Sequence, residues 1–385
     1  MRAFRPRRDA ARCGTIGLIT TDDDLGAGDL VDPAPRGRRV RRAYGTGDEA
    51  LDRRLRQLVD DIGSLDPQLS FEMLVTAVRV GREPLSRLDR KLINVALKEM
   101  RYAFNVFAEY RDRRKVTTFG SARVQPGDPA YAAAVEFGRV AAARGWMVVT
   151  GAGPGIMQGV NEGAGQLSSF GVNITLPFEN KPNPYIADDP KLINFRYFFT
   201  RKLMFIKEAD AFLLFPGGYG TMDELFELLT LVQTGKSDPH PIVMLEPEGG
   251  GYWADVDATL RRLLVEHGYI DAEDQDIYHV APNASAAMDH IEGFYRVYHS
   301  QRYVKGELVL RLTVELTDAG IEALNREFAG ILRGPIRRVG ASAAEKRDGD
   351  VPDLPRLRVP FDRVHFARLR GLIDRLNELP TGGGA

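Results

Sequence analysis

"DAFLLFPGGYGTMDELFELLT", residues 210–230, decides how the chain is read. Ala211–Phe215 is a short apolar run of strand length. Gly217, Gly218 and Gly220 break it, and Leu225, Leu228 and Leu229 then recur at helical spacing beside Asp223, Glu224 and Glu227. A strand, a glycine turn and an amphipathic helix in that order form the repeating unit of a parallel α/β sheet.

Outward from this stretch the same alternation spans residues 113–302. The runs "VTTFG", "WMVVT", "GVNITL", "LINF", "AFLLF", "PIVMLE" and "IYHV" alternate with helical candidates such as "DPAYAAAVEFGRVAAARG". The fold class expected is α/β, a Rossmann-like doubly wound and mostly parallel sheet, whose ligands bind at the carboxyl ends of the strands. Residues 48–112 read as an amphipathic helical region in which Leu51, Leu55, Leu58 and Ile62 share a face. Residues 303–385 read as a β-α-β-β-α module: "LVLRLTVEL" alternates cleanly, and Thr317 caps the helix after it. Residues 1–47 are arginine-rich with an acidic insert and read as a disordered tail.

Two glycine loops lie where ligands of such sheets bind. The first, "VVTGAGPGIMQGVNEGA" (148–164), has Ile156 where a dinucleotide fingerprint wants its third glycine. A tight strand-to-helix turn explains it as well as an anion site does. In the second, Thr221 and Glu224 fit a T-x-x-E capping box, which needs no ligand. Three preceding glycines are superfluous for a cap, whereas a phosphate cradle needs their close backbone approach. Upstream, "FRYFFTRKLMFIKEAD" (195–210) reads as a helix that buries Phe198, Phe199, Leu203 and Ile206 and turns Arg201 and Lys202 outward, toward the second loop.

Composition narrows the classes. A net charge of −1 gives no basic surface for nucleic acid, and no apolar run approaches the roughly 18 residues of a membrane helix. Cys13 is the only cysteine, so an intrachain disulfide is impossible and a reducing cytoplasm fits. The six histidines show no ligand-like spacing, so neither a metal nor another cofactor is expected.

The pair "RK" at 201–202, followed at fixed distance by "PGGYGTMDE", resembles the LOG family of cytokinin-activating phosphoribohydrolases, long labelled lysine-decarboxylase-like. The resemblance covers about residues 114–300. It implies hydrolysis of the N-glycosidic bond of a nucleoside 5′-monophosphate, with Arg201 and Glu224 as the catalytic pair. By the same resemblance the backbone of Gly217, Gly218 and Gly220, with Thr221, holds the 5′-phosphate, and Lys202 and Thr230 fall on substrate-contacting positions; Tyr219 between the glycines and Glu227, three residues from Glu224 on one helical face, are counted with the substrate-binding residues. Glu179 of "LPFE" matches a carboxylate near the nucleotide. Gly153, Gly155 and Met157 occupy the family's first glycine loop, and Ser121 its first strand turn. A homo-oligomer is implied too. Phe199 stands where plant members carry histidine, which bears on the base and not on the chemistry; larger bacterial relatives are general nucleoside-monophosphate nucleosidases. The rival readings are a non-catalytic nucleotide carrier, a lysine decarboxylase, which would need a Schiff-base lysine, and an NAD-dependent oxidoreductase.

Overall fold

The computed structural model describes residues 44–175, 181–304 and 306–381. Residues 1–43 of the amino-terminal tail and Glu179 lie outside them; residues 44–47, read as part of that tail, are described, and the Gly45 carbonyl accepts from Arg79 at 2.6 Å. The chain divides into two compact units, one ending at Glu99 and one from Met100 onward.

In the first unit α1 (Glu49–Asp61) and α2 (Pro67–Arg82) are each started by an aspartate cap, Asp48 and Asp66, and Pro67 opens the second helix. Val59, Phe71 and Val75 form its small core. Leu58 and Ile62, expected on a buried face, are exposed.

The second unit starts within α3 (Arg87–Ala108), where Phe107 stacks on Phe170 with ring centroids 4.4 Å apart. Then follow β1 (Lys115–Phe119), α4 (Pro129–Ala143), β2 (Met147–Thr150), α5 (Ile156–Ala164), β3 (Ser169–Ile174), β4 (Leu192–Phe195), α6 (Phe198–Lys207), β5 (Ala211–Leu214), α7 (Tyr219–Gln233), β6 (Ile242–Leu245), α8 (Tyr252–Leu260), β7 (Tyr278–Ala281) and α9 (Ala284–Phe294). The seven apolar runs are the seven strands. They form one sheet in the order β4-β3-β2-β1-β5-β6-β7, and every pairing is parallel. β1, β2, β5 and β6 are buried at every position, as strands covered by helices on both faces must be. The strand order reverses at β1: its sequence successor β2 lies on one side and β5 on the other. The crevice beyond the carboxyl ends of β1 and β5 is therefore where such a sheet takes its ligand.

The carboxyl-terminal elements are β8 (Tyr298–Val304), β9 (Glu307–Leu312), α10 (Asp318–Glu327), β10 (Arg337–Val339), α11 (Ala343–Asp348), β11 (Arg356–Val359) and α12 (Phe366–Glu378), with an antiparallel sheet ordered β10-β11-β9-β8. Thr317 does cap α10, accepting from the Gly320 amide. β8 was not foreseen, because most of its residues are half-buried and show no alternation. These elements do not fold around a core of their own. One apolar cluster runs from Val116, Phe137 and Val160 through Leu308, Leu310 and Leu372. Arg370 of α12, 2% exposed, donates to the carbonyls of His240 and Ile277 and fastens the helix to the main sheet.

One buried ionic cluster locks α11. Glu345 accepts from Arg311 Nη2 at 2.9 Å and Arg356 Nε at 3.3 Å, and its amide and carboxylate close a capping box with Ser342. Burial pushes this carboxyl up, but the Ser342 amide and the two guanidinium groups outweigh it and bring it down to about 2. Glu345→Ala removes the carboxylate that Arg311 and Arg356 share, leaving Arg311 to Asp350 and Arg356 to backbone carbonyls, and should cost about 3 kcal/mol. Urea denaturation at pH 7 measures this; a loss below 1 kcal/mol would mean the cluster is solvated.

Candidate active site

The switch-point crevice opens into a cavity of about 750 Å³. Its floor is the second glycine loop and the start of α7. The helix begins at Tyr219 with Gly218 before it, so Thr221 lies inside the first turn and no side chain caps the amino terminus. The capping-box reading of Thr221 and Glu224 is thereby removed: the first-turn amides have no side-chain partner and are available to an anion. Gly217 is required by close approach, since a Cβ there would lie 2.0 Å from Thr221 Oγ1. Cβ atoms at Gly218 and Gly220 would meet nothing within 4 Å. Both positions face open space, so no contact within the protein demands glycine there.

Two walls come from the loops after β1 and β2. The Ser121 amide donates to the Pro216 carbonyl at 3.2 Å, and the Ser121 carbonyl accepts from the Ile156 amide at 3.1 Å. Gly155, at φ 68°, lets the backbone of Ser121 and Ala122 pass where a Cβ would sit 2.4 Å from the Ser121 oxygen. The first glycine loop therefore acts by shaping the wall. Gly153 and Gly155 do not line the cavity, while Gly151, Met157 and Ser121 do.

Arg201 reaches the cavity from α6. Its Nε donates to the Val172 carbonyl at 2.9 Å, Nη2 lies 3.5 Å from the Gly151 carbonyl, and the guanidinium sits 5.0 Å from the Phe205 ring centroid. These contacts hold the group in one place at the carboxyl end of the sheet. Phe198 and Phe199, expected in the core, are 56% and 52% exposed; Met204, Phe205 and Ile206 are the buried face of α6. Phe198 lines the cavity instead.

Glu224 enters from α7 and lines the same cavity as Arg201. Its side chain is 13% exposed, and Oε2 is buried with no hydrogen-bond partner. Burial pushes its carboxyl up to about 7, with Glu227 and Asp223 adding repulsion and Lys202 and Arg201 opposing. A buried carboxylate without a hydrogen-bond partner, pushed up by burial in a cleft, is an arrangement that general acid–base chemistry uses.

Lys202 does not face the cavity. Its Nζ lies 2.6 Å from Glu227, 2.9 Å from Asp223 and 3.8 Å from Glu224. Burial lowers its basicity, yet these carboxylates outweigh burial and leave it raised. Glu227 is turned to Lys202, and Thr230 lines a separate small apolar recess with Phe226 and Leu264. Tyr252 and Arg123 are among the lining residues that no sequence motif singles out. Tyr252 of α8 donates to the Gly217 carbonyl at 2.7 Å and pins the loop, and Arg123 stands at the cavity wall. Nothing local in the sequence marks Tyr252, which is 35 residues from its partner.

His279 and His290 stack at 4.2 Å elsewhere, and burial holds both below the usual histidine range. Among the described residues no group of three His, Cys, Asp or Glu side chains could hold a metal, and no helix is long and apolar enough to cross a membrane.

Residues 155–291 match a family model described as "possible lysine decarboxylase". The cytokinin riboside 5′-monophosphate phosphoribohydrolase of Mycobacterium tuberculosis is 32% identical over 158 residues, which are 40% of this chain and 81% of that protein. The chain belongs to the LOG family. A probable cytokinin riboside 5′-monophosphate phosphoribohydrolase of rice (Oryza sativa subsp. japonica) is 32% identical over 158 residues, 40% of this chain and 65% of its own. Another from rice is 36% identical over 101 residues, 26% of this chain and 46% of its own. This LOG-family chain thus spans about half to two thirds of the rice relatives it matches. A solved molybdenum cofactor binding protein from Rippkaea orientalis aligns over 47% of the chain and 96% of its own at 16% identity and a TM-score of 0.34, too distant to bear on function.

Proposed function

We propose that this LOG-family protein hydrolyses the N-glycosidic bond of nucleoside 5′-monophosphates, releasing the base and ribose 5-phosphate. The observation that carries the reading is that Arg201 and Glu224 face one cavity whose floor is an uncapped helix start. Its volume falls within the roughly 300–1,000 Å³ of small-molecule sites. The phosphate rests on the amides of Gly218–Thr221 and fixes the ribose above Glu224, so remote binding energy positions the reacting bond. Cleavage builds positive charge at the anomeric carbon. Ionised Glu224 stabilises that centre and orients the attacking water. Arg201, a guanidinium that proteins do not deprotonate, stays charged and stabilises the departing base electrostatically.

The relatives' names specify a cytokinin riboside, whereas the larger class of nucleoside monophosphates fits a cavity whose aromatic sides, Phe198 and Tyr219, are 56% and 97% exposed. A Schiff-base decarboxylase is disfavoured. Lys202, the lysine beside the cavity, is held charged by three carboxylates, whereas such chemistry needs a neutral amine. Incubation with AMP, CMP, GMP, IMP and a cytokinin riboside 5′-monophosphate should release free base from at least one. Tight nucleotide binding without base release would establish a carrier instead. The homo-oligomer implied by the family is read in the same preparation by light scattering.

Because Glu224 acts ionised, kcat/KM should rise with pH to a plateau, with an inflection near 7. Activity is lost as pH falls through that value. A profile that declines as pH rises through 7 would make Glu224 an acid and reverse its role.

A further inference from the structure

A phosphate monoester brings a charge of about −1.5 to −2 into the cavity, while a helix start offers about +0.5. Asp223 and Glu224 line the same space and oppose it. The cations of the site are mostly committed. Arg201 is held by backbone carbonyls of the sheet end, and Lys202 by Glu227, Asp223 and Glu224.

Arg123 is the exception. Its guanidinium has no hydrogen-bond or ion-pair partner among the described residues, and it is exposed at the cavity wall. The backbone that carries it is nevertheless held in place. The Arg123 amide donates to Ser121 Oγ at 3.2 Å and its carbonyl accepts from Gln125 Nε2 at 2.9 Å. Ser121 is in turn bonded to Pro216, the residue before Gly217, and to Ile156. A hydrogen-bonded turn thus carries an uncompensated guanidinium into the lining of the cavity that the α7 start also lines. A solvated guanidinium at the cavity wall, with no carboxylate to compete, is free to make charge-assisted hydrogen bonds to an anion that arrives from solution.

We infer that Arg123 clamps the 5′-phosphate of the substrate against the α7 start, and that this residue makes the site select nucleotides over nucleosides. The inference rests on the proposed placement of the phosphate and goes beyond it in assigning the charge that reads it. The clamp supplies affinity and selection; Arg201 and Glu224 address the bond that breaks.

Calorimetric binding of ribose 5-phosphate and AMP, with steady-state base release from AMP and adenosine, tests it in wild type, Arg123→Ala and Arg123→Lys. Arg123→Ala should weaken both ligands by about 10–100-fold, the size of a hydrogen bond to a charged group. KM for AMP should rise by a similar factor with kcat within about threefold, and adenosine turnover should not change. Arg123→Lys should recover part of the affinity, since ammonium keeps the charge and loses the bidentate fork. Ribose 5-phosphate affinity within twofold of wild type in Arg123→Ala would overturn the clamp, as would failure of wild type to bind that ligand. If wild type binds but never cleaves, and binding collapses in Arg123→Ala, the clamp stands and the nucleosidase reading falls.

Discussion

Glu224→Gln should lower base release by about 10³-fold while making the protein more stable at alkaline pH. The two effects share one cause. The amide keeps the shape and hydrogen-bonding size of the side chain but cannot carry the negative charge that the anomeric centre requires. The charge is also what the folded state tolerates poorly: burial raises the carboxyl from 4.5 to about 7. A group raised on folding contributes favourably below its unfolded value, and that contribution disappears as pH rises through the folded value. Wild type is therefore penalised above pH 7, by up to about 3 kcal/mol for a shift of this size. Urea denaturation at pH 8 should show Glu224→Gln more stable than wild type, and at pH 4.5 the difference should vanish. Near-normal turnover in the variant would remove Glu224 from the chemistry. A variant no more stable at pH 8 than wild type would show that the carboxylate is not held at a cost.

Arg201→Ala should lower kcat/KM by about 10²–10³-fold, the usual consequence of deleting a donor aimed at developing charge. Lysine at this position should restore little, because an ammonium group cannot reproduce a planar fork set between the Val172 and Gly151 carbonyls. A purely structural role is separable from a catalytic one by adding free guanidinium to Arg201→Ala. Partial recovery of kcat with unchanged thermal stability is the expected result. If the loss lies wholly in KM and guanidinium does nothing, Arg201 is a wall of the site and takes no part in bond cleavage.

The sheet was legible because the strands are short apolar runs, most of them closed by a glycine or a helix start, and both glycine loops fell at carboxyl ends of strands. The pairing of Arg201 with Glu224 was implied by the family resemblance, and both residues line one cavity. Lys202 shows where such reading stops. Adjacent residues on a helix point about 100° apart, so a residue next to Arg201 in sequence faces the carboxylates of α7 in space. Thr221 satisfied the pattern of a cap, yet the helix starts two residues earlier because three glycines let the turn tighten before it. Tyr252 and Arg123 depend on contacts between distant loops, which no local period encodes. The shared core of the carboxyl-terminal elements was hidden for a related reason: alternation in Leu308–Leu312 says that one face is buried and is silent about what covers it.

The central claim is that one cavity holds the phosphate on α7 and the glycosidic bond between Arg201 and Glu224. A crystal structure of Glu224→Gln soaked with AMP addresses it directly. The account predicts the phosphate on the amides of Gly218–Thr221, the anomeric carbon within reach of the residue-224 side chain, and the base on the Arg201 side. Phosphate bound elsewhere, or an anomeric carbon turned away from residue 224, would contradict it.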